Sequence, residues 1–420
     1  MNKIVVKGGA PLCGEVLIGG SKNAALPLLF AGILTGEVCV FSGLPRVGDV
    51  LLALEILRAL GARIHFACGG DVSVDYSAVA PHLPPQNLSA AIRGSVYLLG
   101  ACLGRFGQAK LGGVGGCDFG TRPIDQHLLG FAAMGAEVCE QPTHLSLTAK
   151  KGLHGVDFRL KMPSVGATAN LLMAATGAEG TTVIRGAAAE PHVAALCDFL
   201  VAAGATVEGQ GSDTLTVKGK KPLHGCRFTV IPDMIEAGTY LACAMATGGR
   251  VSVKNVAPDH LAAPLALFRE MGATVAVGVD GITLHAPPRY RCVAVETGPY
   301  PAFPTDLHPQ FAALFALGER AVGEGSVTER VWQSRFRYLE ELAKMGARFT
   351  VDGINAAITP MPLHAATVRA PDLRGGAALL IAALATGGES EITNAAVLRR
   401  GYEHLEAKLS ALGANVRVLG

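Results

Sequence analysis

The segment Leu60-Gly61-Ala62, which ends an apolar run and precedes a strand-like tail, is the first of six similar segments in this 420-residue chain. The other five are Met134-Gly135-Ala136, Ala203-Gly204-Ala205, Met271-Gly272-Ala273, Met345-Gly346-Ala347 and Leu412-Gly413-Ala414. Their glycines are 74, 69, 68, 74 and 67 residues apart. A nearly constant period of this length is typical of one supersecondary unit copied along the chain. Six units predict two large domains of three repeats each.

A second feature keeps the same period, because a polar residue opens the most apolar helix of each unit. The six residues are Lys22, Arg93, Ser164, Glu236, Asp306 and Arg374, spaced 71, 71, 72, 70 and 68 apart. Helix N-termini expose unpaired N–H groups and carry about half a positive charge. If pseudo-symmetry brings several such ends together, with Lys and Arg beside them, they form an anion site.

The order of elements is the same in each unit. A nearly all-apolar helix is followed by a β-branched strand such as residues 181–185, an amphipathic helix such as residues 50–60, and further strands. The first helix type is expected to be buried and the second to lie outside, which predicts an α/β fold. A strand within residues 1–21 is expected to pair with the C-terminal units. The predicted domains are residues 22–231, and residues 1–21 together with 232–420, joined by two short hinge-like crossings.

Composition restricts the kind of protein. Half of the residues are hydrophobic, so a sizeable core is available, and the net charge of +2 predicts no general affinity for nucleic acid or anionic membrane. The N-terminus lacks a signal-peptide apolar region, and the longest uncharged stretch, residues 162–178, is shorter than the ~20 residues of a spanning helix. We therefore expect a cytoplasmic protein without membrane insertion. Ten scattered cysteines predict neither disulfides nor a zinc site, and most are expected to pack as small apolar residues.

One Gly-rich segment, residues 111–127, departs from the unit pattern. Five glycines surround Cys117 within nine residues, and such a mobile backbone is a poor place for a core residue. Arg122 and nearby helix starts would favour the thiolate, whereas Asp118 opposes it, and the sequence leaves the balance open. The segment lacks the Gly-Lys-Ser/Thr ending of a P-loop. It is either a surface loop with an incidental thiol or a functional loop at residues 112–121, and the residues favour the second.

Several short motifs resemble one family. They are Lys22-Asn23-Ala-Ala-Leu-Pro, Gly115-Gly116-Cys117, Arg122-Pro123-Ile124-Asp125 with His127, Ser164-Val165-Gly166-Ala167-Thr168, Thr305-Asp306, Asp372-Leu373-Arg374 and Arg400-Gly401-Tyr402-Glu403. In order and spacing, over essentially the whole chain, they resemble the UDP-N-acetylglucosamine 1-carboxyvinyltransferases, the enolpyruvyl transferases of peptidoglycan synthesis. The resemblance implies two inside-out α/β barrel domains of three pseudo-symmetric repeats, with the active site in the cleft between them.

The resemblance also implies the reaction. The enolpyruvyl group of phosphoenolpyruvate would move to the 3′-hydroxyl of UDP-N-acetylglucosamine with release of phosphate, without a metal or a redox cofactor. Cys117 is implied as the acid that also forms a covalent adduct with phosphoenolpyruvate and that the epoxide fosfomycin alkylates. Asp306, at a helix start, is implied as the base for the hydroxyl. Taken alone, Asp306 would be read as an N-cap.

The remaining residues are implied as substrate ligands. Lys22, Arg122 and Arg400 would hold the phosphate and carboxylate of phosphoenolpyruvate, with Arg335 and Arg374 assisting; Lys22 and Arg400 also count among the catalytic residues. The residues implied for the sugar nucleotide are Asn23, Arg93, Pro123, Ile124, Asp125, Gln126, Ser164, Val165, Gly166 and Val331. Arginine grips such anions with two hydrogen bonds and lysine acts as a point charge. Taken singly, each cation would more often be a solvated surface residue, and the role of His127 stays open.

Some positions depart from the family pattern, namely Met162, Met234, Arg399 and the segment Gln333-Ser334-Arg335. They concern substrate affinity and closure more than the chemistry. They leave room for a paralogue that acts on another nucleotide or on shikimate 3-phosphate, and a non-catalytic UDP-sugar sensor is the alternative of a different class. The motifs present argue against action on shikimate 3-phosphate and against a non-catalytic sensor. The sequence does not determine the oligomeric state.

Overall fold

The structure is a computed structural model that describes residues 3–113, 123–279, 281–332 and 335–419. Within these ranges the chain forms two compact units. The N-terminal domain contains residues 20–113 and 123–231, and the C-terminal domain contains residues 3–19, 232–279, 281–332 and 335–419. Cys117, Arg122, Gln333 and Ser334 lie outside the described residues. The prediction that the active site lies between the domains stays a prediction.

The helices and strands follow the predicted repeat. The α-helices in the described ranges are α1 (Lys22–Ala31), α2 (Gly48–Ala59), α3 (Gln86–Ser89), α4 (Tyr97–Phe106), α5 (Asp125–Ala133), α6 (Val165–Thr176), α7 (Pro191–Ala202), α8 (Met234–Thr247), α9 (Ala262–Glu270), α10 (His308–Ala316), α11 (Arg337–Ala343), α12 (Leu373–Ala385) and α13 (Leu405–Ala411). Short 3₁₀ helices occupy Gly32–Leu34, Arg93–Val96, Pro258–Leu261 and Ala395–Arg400. The strands are β1 (Lys3–Gly8), β2 (Cys13–Leu17), β3 (Val38–Ser42), β4 (Arg63–Phe66), β5 (Val72–Asp75), β6 (Gln108–Leu111), β7 (Glu137–Glu140), β8 (Leu145–Thr148), β9 (Asp157–Arg159), β10 (Thr181–Arg185), β11 (Thr206–Glu208), β12 (Thr214–Lys218), β13 (Arg227–Thr229), β14 (Arg250–Lys254), β15 (Thr274–Gly278), β16 (Gly281–His285), β17 (Tyr290–Arg291), β18 (Ala294–Glu296), β19 (Ala321–Val322), β20 (Gly325–Thr328), β21 (Arg348–Asp352), β22 (Asn355–Thr359), β23 (Thr367–Arg369), β24 (Gly388–Thr393) and β25 (Asn415–Leu419).

The N-terminal domain has three sheets around a helical core. Their strand orders are β13-β3-β5-β4, β11-β12-β10-β9 and β6-β8-β7. The apolar helices α1, α4 and α6 are buried along most of their length, and α4 contacts both of the others. A helix that is apolar on all sides has no face for solvent, so it becomes the core and the sheets cover it.

The C-terminal domain repeats this arrangement. Its sheets have the orders β23-β24-β1-β25, β15-β16-β14-β2 and β18-β20-β22-β21, with a small β17-β19 pair. The buried helices α8, α10 and α12 contact one another. The first strands of the chain belong here, because β1 pairs with β24 and β25 and β2 runs parallel to β14. The predicted α/β class and the buried first helices are confirmed.

Polar side chains set where most of the apolar helices begin. Ser21 and Ser164 cap α1 and α6 by accepting a bond from the N–H three residues on, and Asp233 and Asp372 cap α8 and α12 in the same way. Asp306 is different: α10 begins only at His308, so the expectation that Asp306 sits at the helix start is off by two residues. Pro309 is the second residue of α10 and is tolerated there, because the N–H that it lacks would have no intrahelical partner.

The described cysteines divide between the hydrophobic cores and the surface. Of the nine described, Cys39, Cys102, Cys197 and Cys243 are buried, Cys226 and Cys292 are half-buried, and Cys13, Cys68 and Cys139 are exposed. The two half-buried cysteines also pack against the hydrophobic cores, so six of the nine described cysteines pack as small apolar residues, as expected. Cys13 and Cys139 lie on β2 and β7, which are edge strands, and an edge strand has a neighbour on one side only.

Candidate active site

The clearest polar cluster of the C-terminal domain is centred on Asp306. Arg335 Nη2 donates to its Oδ1 at 2.7 Å, and Arg374 donates to its Oδ2 from Nη2 at 3.0 Å and from Nε at 3.2 Å. Both arginine side chains are 3% exposed, whereas that of Asp306 is 24% exposed. The carboxylate is thus held from behind by two buried cations and keeps part of its surface open to solvent. These bonds orient the carboxylate, and the two neighbouring cations favour its charged form, in which it can accept a proton.

The buried carboxylate of Glu329 is linked to this cluster by hydrogen bonds through Thr305. Glu329 accepts a hydrogen bond from Thr305 Oγ1 at 2.7 Å, and Arg335 Nη1 donates to the same hydroxyl at 2.7 Å. The other oxygen of Glu329 accepts the backbone N–H groups of Val331 and Trp332 at 2.7 and 2.9 Å. Val331, predicted as a substrate ligand, is therefore fixed through its backbone.

Arg374 is stabilised as a cation. Its guanidinium carbon lies 5.5 Å from the centre of the Tyr402 ring, and the Tyr402 hydroxyl lies 2.9 Å from Thr239 Oγ1. Burial alone would lower the pKa of Arg374, but Asp306, with Tyr402 and Asp233, outweighs it and raises that pKa above the ordinary arginine value. Tyr402 follows Arg400 by two residues, so this contact places the end of the Ala395–Arg400 turn beside the cluster.

The first cation of the N-terminal domain is paired as well. Lys22 is the first residue of α1, and its Nζ lies 3.3 Å from Asp49 Oδ2. The two side chains are 13% and 6% exposed. Asn23 follows in the first turn of α1, and Arg93 opens the 3₁₀ turn that leads into α4. Because both side chains of this ion pair are largely shielded from water, Lys22 is a fixed positive charge rather than a solvated surface cation.

Two predicted substrate-binding segments lie together in the N-terminal domain. Ser164, Val165 and Gly166 form the capped start of α6, and Pro123 and Ile124 lead into α5, which begins at Asp125. Gln126 joins the segments, because its Oε1 accepts the N–H of Lys161 at 2.7 Å and its Nε2 donates to Met162 O at 3.4 Å. Met162, one of the departures from the family pattern, is 53% exposed here.

His127 and Asn170 complete this region. His127 is buried on α5, and its Nδ1 lies 3.0 Å from Asn170 Nδ2. Burial lowers the pKa of His127 to about 3, Arg93 acts in the same direction and Asp125 opposes it. His127 is therefore neutral over the ordinary pH range.

The structure brings the predicted residues into two sets. Asp306, Arg335, Arg374 and Val331 lie together in the C-terminal domain, and residues 123–126 and 164–166 lie together in the N-terminal one. Sequence reasoning missed Asp49, Glu329 and Asn170. A detectable signal exists for the last two: Glu329 ends a β-branched run, and Asn170 is an amide inside an apolar helix, a pattern typical of a buried hydrogen bond.

The described residues contain neither a membrane-spanning helix nor a metal-binding cluster. In residues 3–113, 123–279, 281–332 and 335–419, no helix is long and apolar enough to cross a membrane. In the same ranges no group of three or more His, Cys, Asp or Glu side chains is arranged to hold a metal ion.

A carboxylate held by two buried arginines, with Arg374 in the first turn of a helix, forms a site suited to anionic groups. The chain belongs to the EPSP synthase (3-phosphoshikimate 1-carboxyvinyltransferase) family, whose model matches residues 6–409. It is accordingly an enzyme that transfers a 1-carboxyvinyl, or enolpyruvyl, group.

Relatives and solved structures agree with this assignment. The chain is 43% identical over 417 residues to UDP-N-acetylglucosamine 1-carboxyvinyltransferase 3 of Caldanaerobacter subterraneus subsp. tengcongensis, covering 99% of both chains. It is 42% identical over 419 residues to UDP-N-acetylglucosamine 1-carboxyvinyltransferase 2 of Clostridium acetobutylicum, again covering 99% of both. The enolpyruvyl transferase NikO from Streptomyces tendae superposes with a TM-score of 0.89 at 28% identity, covering 99% of this chain and 98% of NikO. EPSP synthase from Acinetobacter baumannii shares the fold, with a TM-score of 0.73 at 19% identity over 100% of both chains.

Proposed function

We propose that this enzyme transfers the enolpyruvyl group of phosphoenolpyruvate to the 3′-hydroxyl of UDP-N-acetylglucosamine and releases phosphate, the first committed step of peptidoglycan synthesis. The observation that carries the proposal is the identity of 43% with a relative named for that reaction, over 99% of both chains. The site described above fits the chemistry, which needs a base for the hydroxyl and cations for two anionic substrates. We propose a cytoplasmic location, where both substrates are found.

Asp306 is proposed as the base. The hydroxyl proton would pass to its carboxylate as the new C–O bond forms at carbon 2 of phosphoenolpyruvate. A proton must also be added to the methylene carbon 3, and the later removal of a proton from that carbon, together with loss of phosphate from carbon 2, restores the double bond. Arg335 and Arg374 hold Asp306 in place, and their charges favour the approach of the phosphate and carboxylate of the donor.

The N-terminal domain is proposed to hold the sugar nucleotide. The capped start of α6 presents unpaired N–H groups at residues 164–166, which suit an anionic diphosphate. Asp125 and Gln126 lie next to it on α5. Asn23 and Arg93, at the starts of neighbouring elements, complete the proposed set, and Lys22 and Arg400 are proposed to hold the donor.

Cys117 and Arg122 lie outside the described residues, and their roles stay predictions from the sequence. Cys117 is predicted to deliver the proton and to be alkylated by fosfomycin. Because Cys13, Cys68 and Cys139 are exposed, they are the relevant controls for such an experiment. An adduct confined to the peptide that carries Cys117, together with loss of activity in Cys117→Ser and its retention in Cys117→Asp, is expected. Adducts spread over the exposed thiols would contradict this role.

Phosphate release decides the acceptor. The purified protein with phosphoenolpyruvate should release phosphate when UDP-N-acetylglucosamine is added and should not do so with shikimate 3-phosphate. Turnover of shikimate 3-phosphate, or none of the sugar nucleotide, would reject the proposal.

An acceptor built on another nucleotide is the second candidate, since Met162 stands exposed beside Gln126 where the family pattern has a cation in some members. Measuring phosphate release with other nucleotide sugars as acceptors tests this second candidate.

A further inference from the structure

Asn170 is a buried amide that connects three helices. It lies on α6 and has no exposed surface. Its Oδ1 accepts the N–H of Gly100 on α4 at 2.7 Å, and its Nδ2 donates to Gly166 O at 3.2 Å and lies 3.0 Å from His127 Nδ1 on α5. One side chain therefore meets the first turns of α4, α5 and α6, where the residues predicted to bind substrate lie.

The helices around Asn170 are packed so closely that their glycines have no room for an added side-chain atom. A Cβ on Gly100 would lie 2.3 Å from the backbone oxygen of Asn170, and a Cβ on Gly166 would lie 3.0 Å from His127 Cε1. Gly130 of α5 is equally close to Leu171, with a Cβ 2.4 Å from Cδ2. Because close-packed helices transmit displacement rather than absorb it, a shift of the Asn170 amide moves the helix starts.

The hydrogen bonds also determine the tautomer of His127. An amide Nδ2 can only donate, so His127 Nδ1 must accept and the ring proton resides on Nε2. The Nε2 atom lies against the first turn of α6, 3.1 Å from the position of a Cβ on Gly166. The neutral imidazole thus places an N–H, rather than a lone pair, beside Ser164-Val165-Gly166.

We propose that Asn170 is the positioning residue of the sugar-nucleotide subsite: it holds the Nε2–H tautomer of His127 and keeps the start of α6 in register with that of α5. This rests on the proposed function, because the subsite is the one formed by residues 123–126 and 164–166. Asn170 does not reach the ligand, and it acts through His127 and Gly166.

Asn170→Asp tests this with almost no change of shape. One carboxylate oxygen can still accept the Gly100 N–H, but the other can no longer donate to Gly166 O or His127 Nδ1. The proton of His127 should therefore move to Nδ1, which ¹⁵N spectra of the imidazole report, with the His127 signals assigned by their loss in His127→Gln. KM for UDP-N-acetylglucosamine should rise about tenfold or more, as for a displaced positioning group, while KM for phosphoenolpyruvate changes less than about twofold.

Thr176→Val is the matched control, because Thr176 is a buried polar residue at the far end of α6 whose hydroxyl donates to Met173 O of its own helix. It should leave both KM values and the His127 signals unchanged. If Asn170→Asp does not fold, Asn170→Ser removes the bonds to His127 and Gly166, and that to Gly100 as well, without adding a charge, and it should give the same split of KM values. An unchanged tautomer, or an equal rise of both KM values, would overturn the proposal. Wild-type phosphate release is measured first, so a failure of the proposed function is seen there, and the tautomer is read without any turnover.

Discussion

At the scale of single residues, the function depends on how a few charged groups are balanced. Asp306 takes hydrogen bonds from two arginines that are almost completely buried, and Glu329 adds a second negative charge behind Arg335 through Thr305. Both arginines thus pair with the one carboxylate of Asp306, and Glu329 reaches Arg335 only through the Thr305 hydroxyl. Charged groups removed from water are stable only when they are paired and hydrogen-bonded, which explains why each oxygen of Glu329 has a donor.

Asp306→Asn should abolish most of the activity. The amide keeps the shape of the side chain but cannot accept the hydroxyl proton, so kcat for phosphate release should fall by about 10²- to 10⁴-fold. Asp352→Asn is the control, since Asp352 is an exposed carboxylate on β21 of the same domain and should leave kcat unchanged. An Asp306→Asn enzyme within a few-fold of wild type would remove Asp306 from the role of base.

At the scale of elements, capping residues decide where the functional side chains are placed. Asp372 Oδ1 accepts the backbone N–H groups of Arg374 and Gly375, both at 2.9 Å. This bond starts α12 at Leu373 and so puts Arg374 in its first turn, facing Asp306. The motif Asp372-Leu373-Arg374 therefore supplies both the cap of α12 and the arginine that pairs with Asp306.

Asp372→Ala should lower the free energy of unfolding of the C-terminal domain by about 1 kcal/mol, the usual effect of losing an N-cap. Asp372→Asn should stay close to wild type, because asparagine caps as well as aspartate does. Denaturant unfolding of the two variants measures the difference. Equal destabilisation by Ala and Asn would mean that the charge of Asp372, and not its cap, stabilises the domain.

At the scale of the whole molecule, each domain buries one uncharged histidine. Burial lowers the pKa of His127 in the N-terminal domain to about 3, and it lowers that of His308 in the C-terminal domain well below 6.5, with Arg335 acting in the same direction. His308 lies 3.2 Å from Glu329 Oε2 through Nε2 and 3.2 Å from the Tyr338 hydroxyl through Nδ1. Both imidazoles must stay neutral for the native packing.

Stability should therefore fall below pH 6.5. The unfolded chain binds protons at these histidines from that pH downward and the folded chain does not, so stability is fully present above 6.5 and is lost as the pH falls. His127, whose pKa lies at about 3, should cost about 2 kcal/mol between pH 6.5 and pH 5, at about 1.4 kcal/mol per unit, and His308 should act in the same direction. Unfolding midpoints across this range measure the slope. His127→Gln should remove the contribution of the N-terminal domain alone, and an unchanged slope would contradict this explanation.

Much of the fold follows from local features of the chain. The repeat of the Gly-Ala segments and the polar helix openings reflect hydrophobic periodicity and capping, which act over a few residues and can be read directly. Lys22, Ser164 and Arg374 are accordingly found at helix starts as predicted. The position of Asp306 was misjudged because its carboxylate bonds to Arg335 and Arg374 instead of capping α10, and neither arginine is near it in the chain.

The sequence by itself determined the α/β class, the threefold repeats and the residue types of the site. Only the tertiary structure decided which side chains meet. The pairing of Lys22 with Asp49, the support of Asp306 through Glu329, and the joining of α4, α5 and α6 by Asn170 link residues that are 27, 23 and up to 70 positions apart. Such contacts arise because the helices of each domain are packed into one core, and no local pattern in the chain encodes which of their faces will touch.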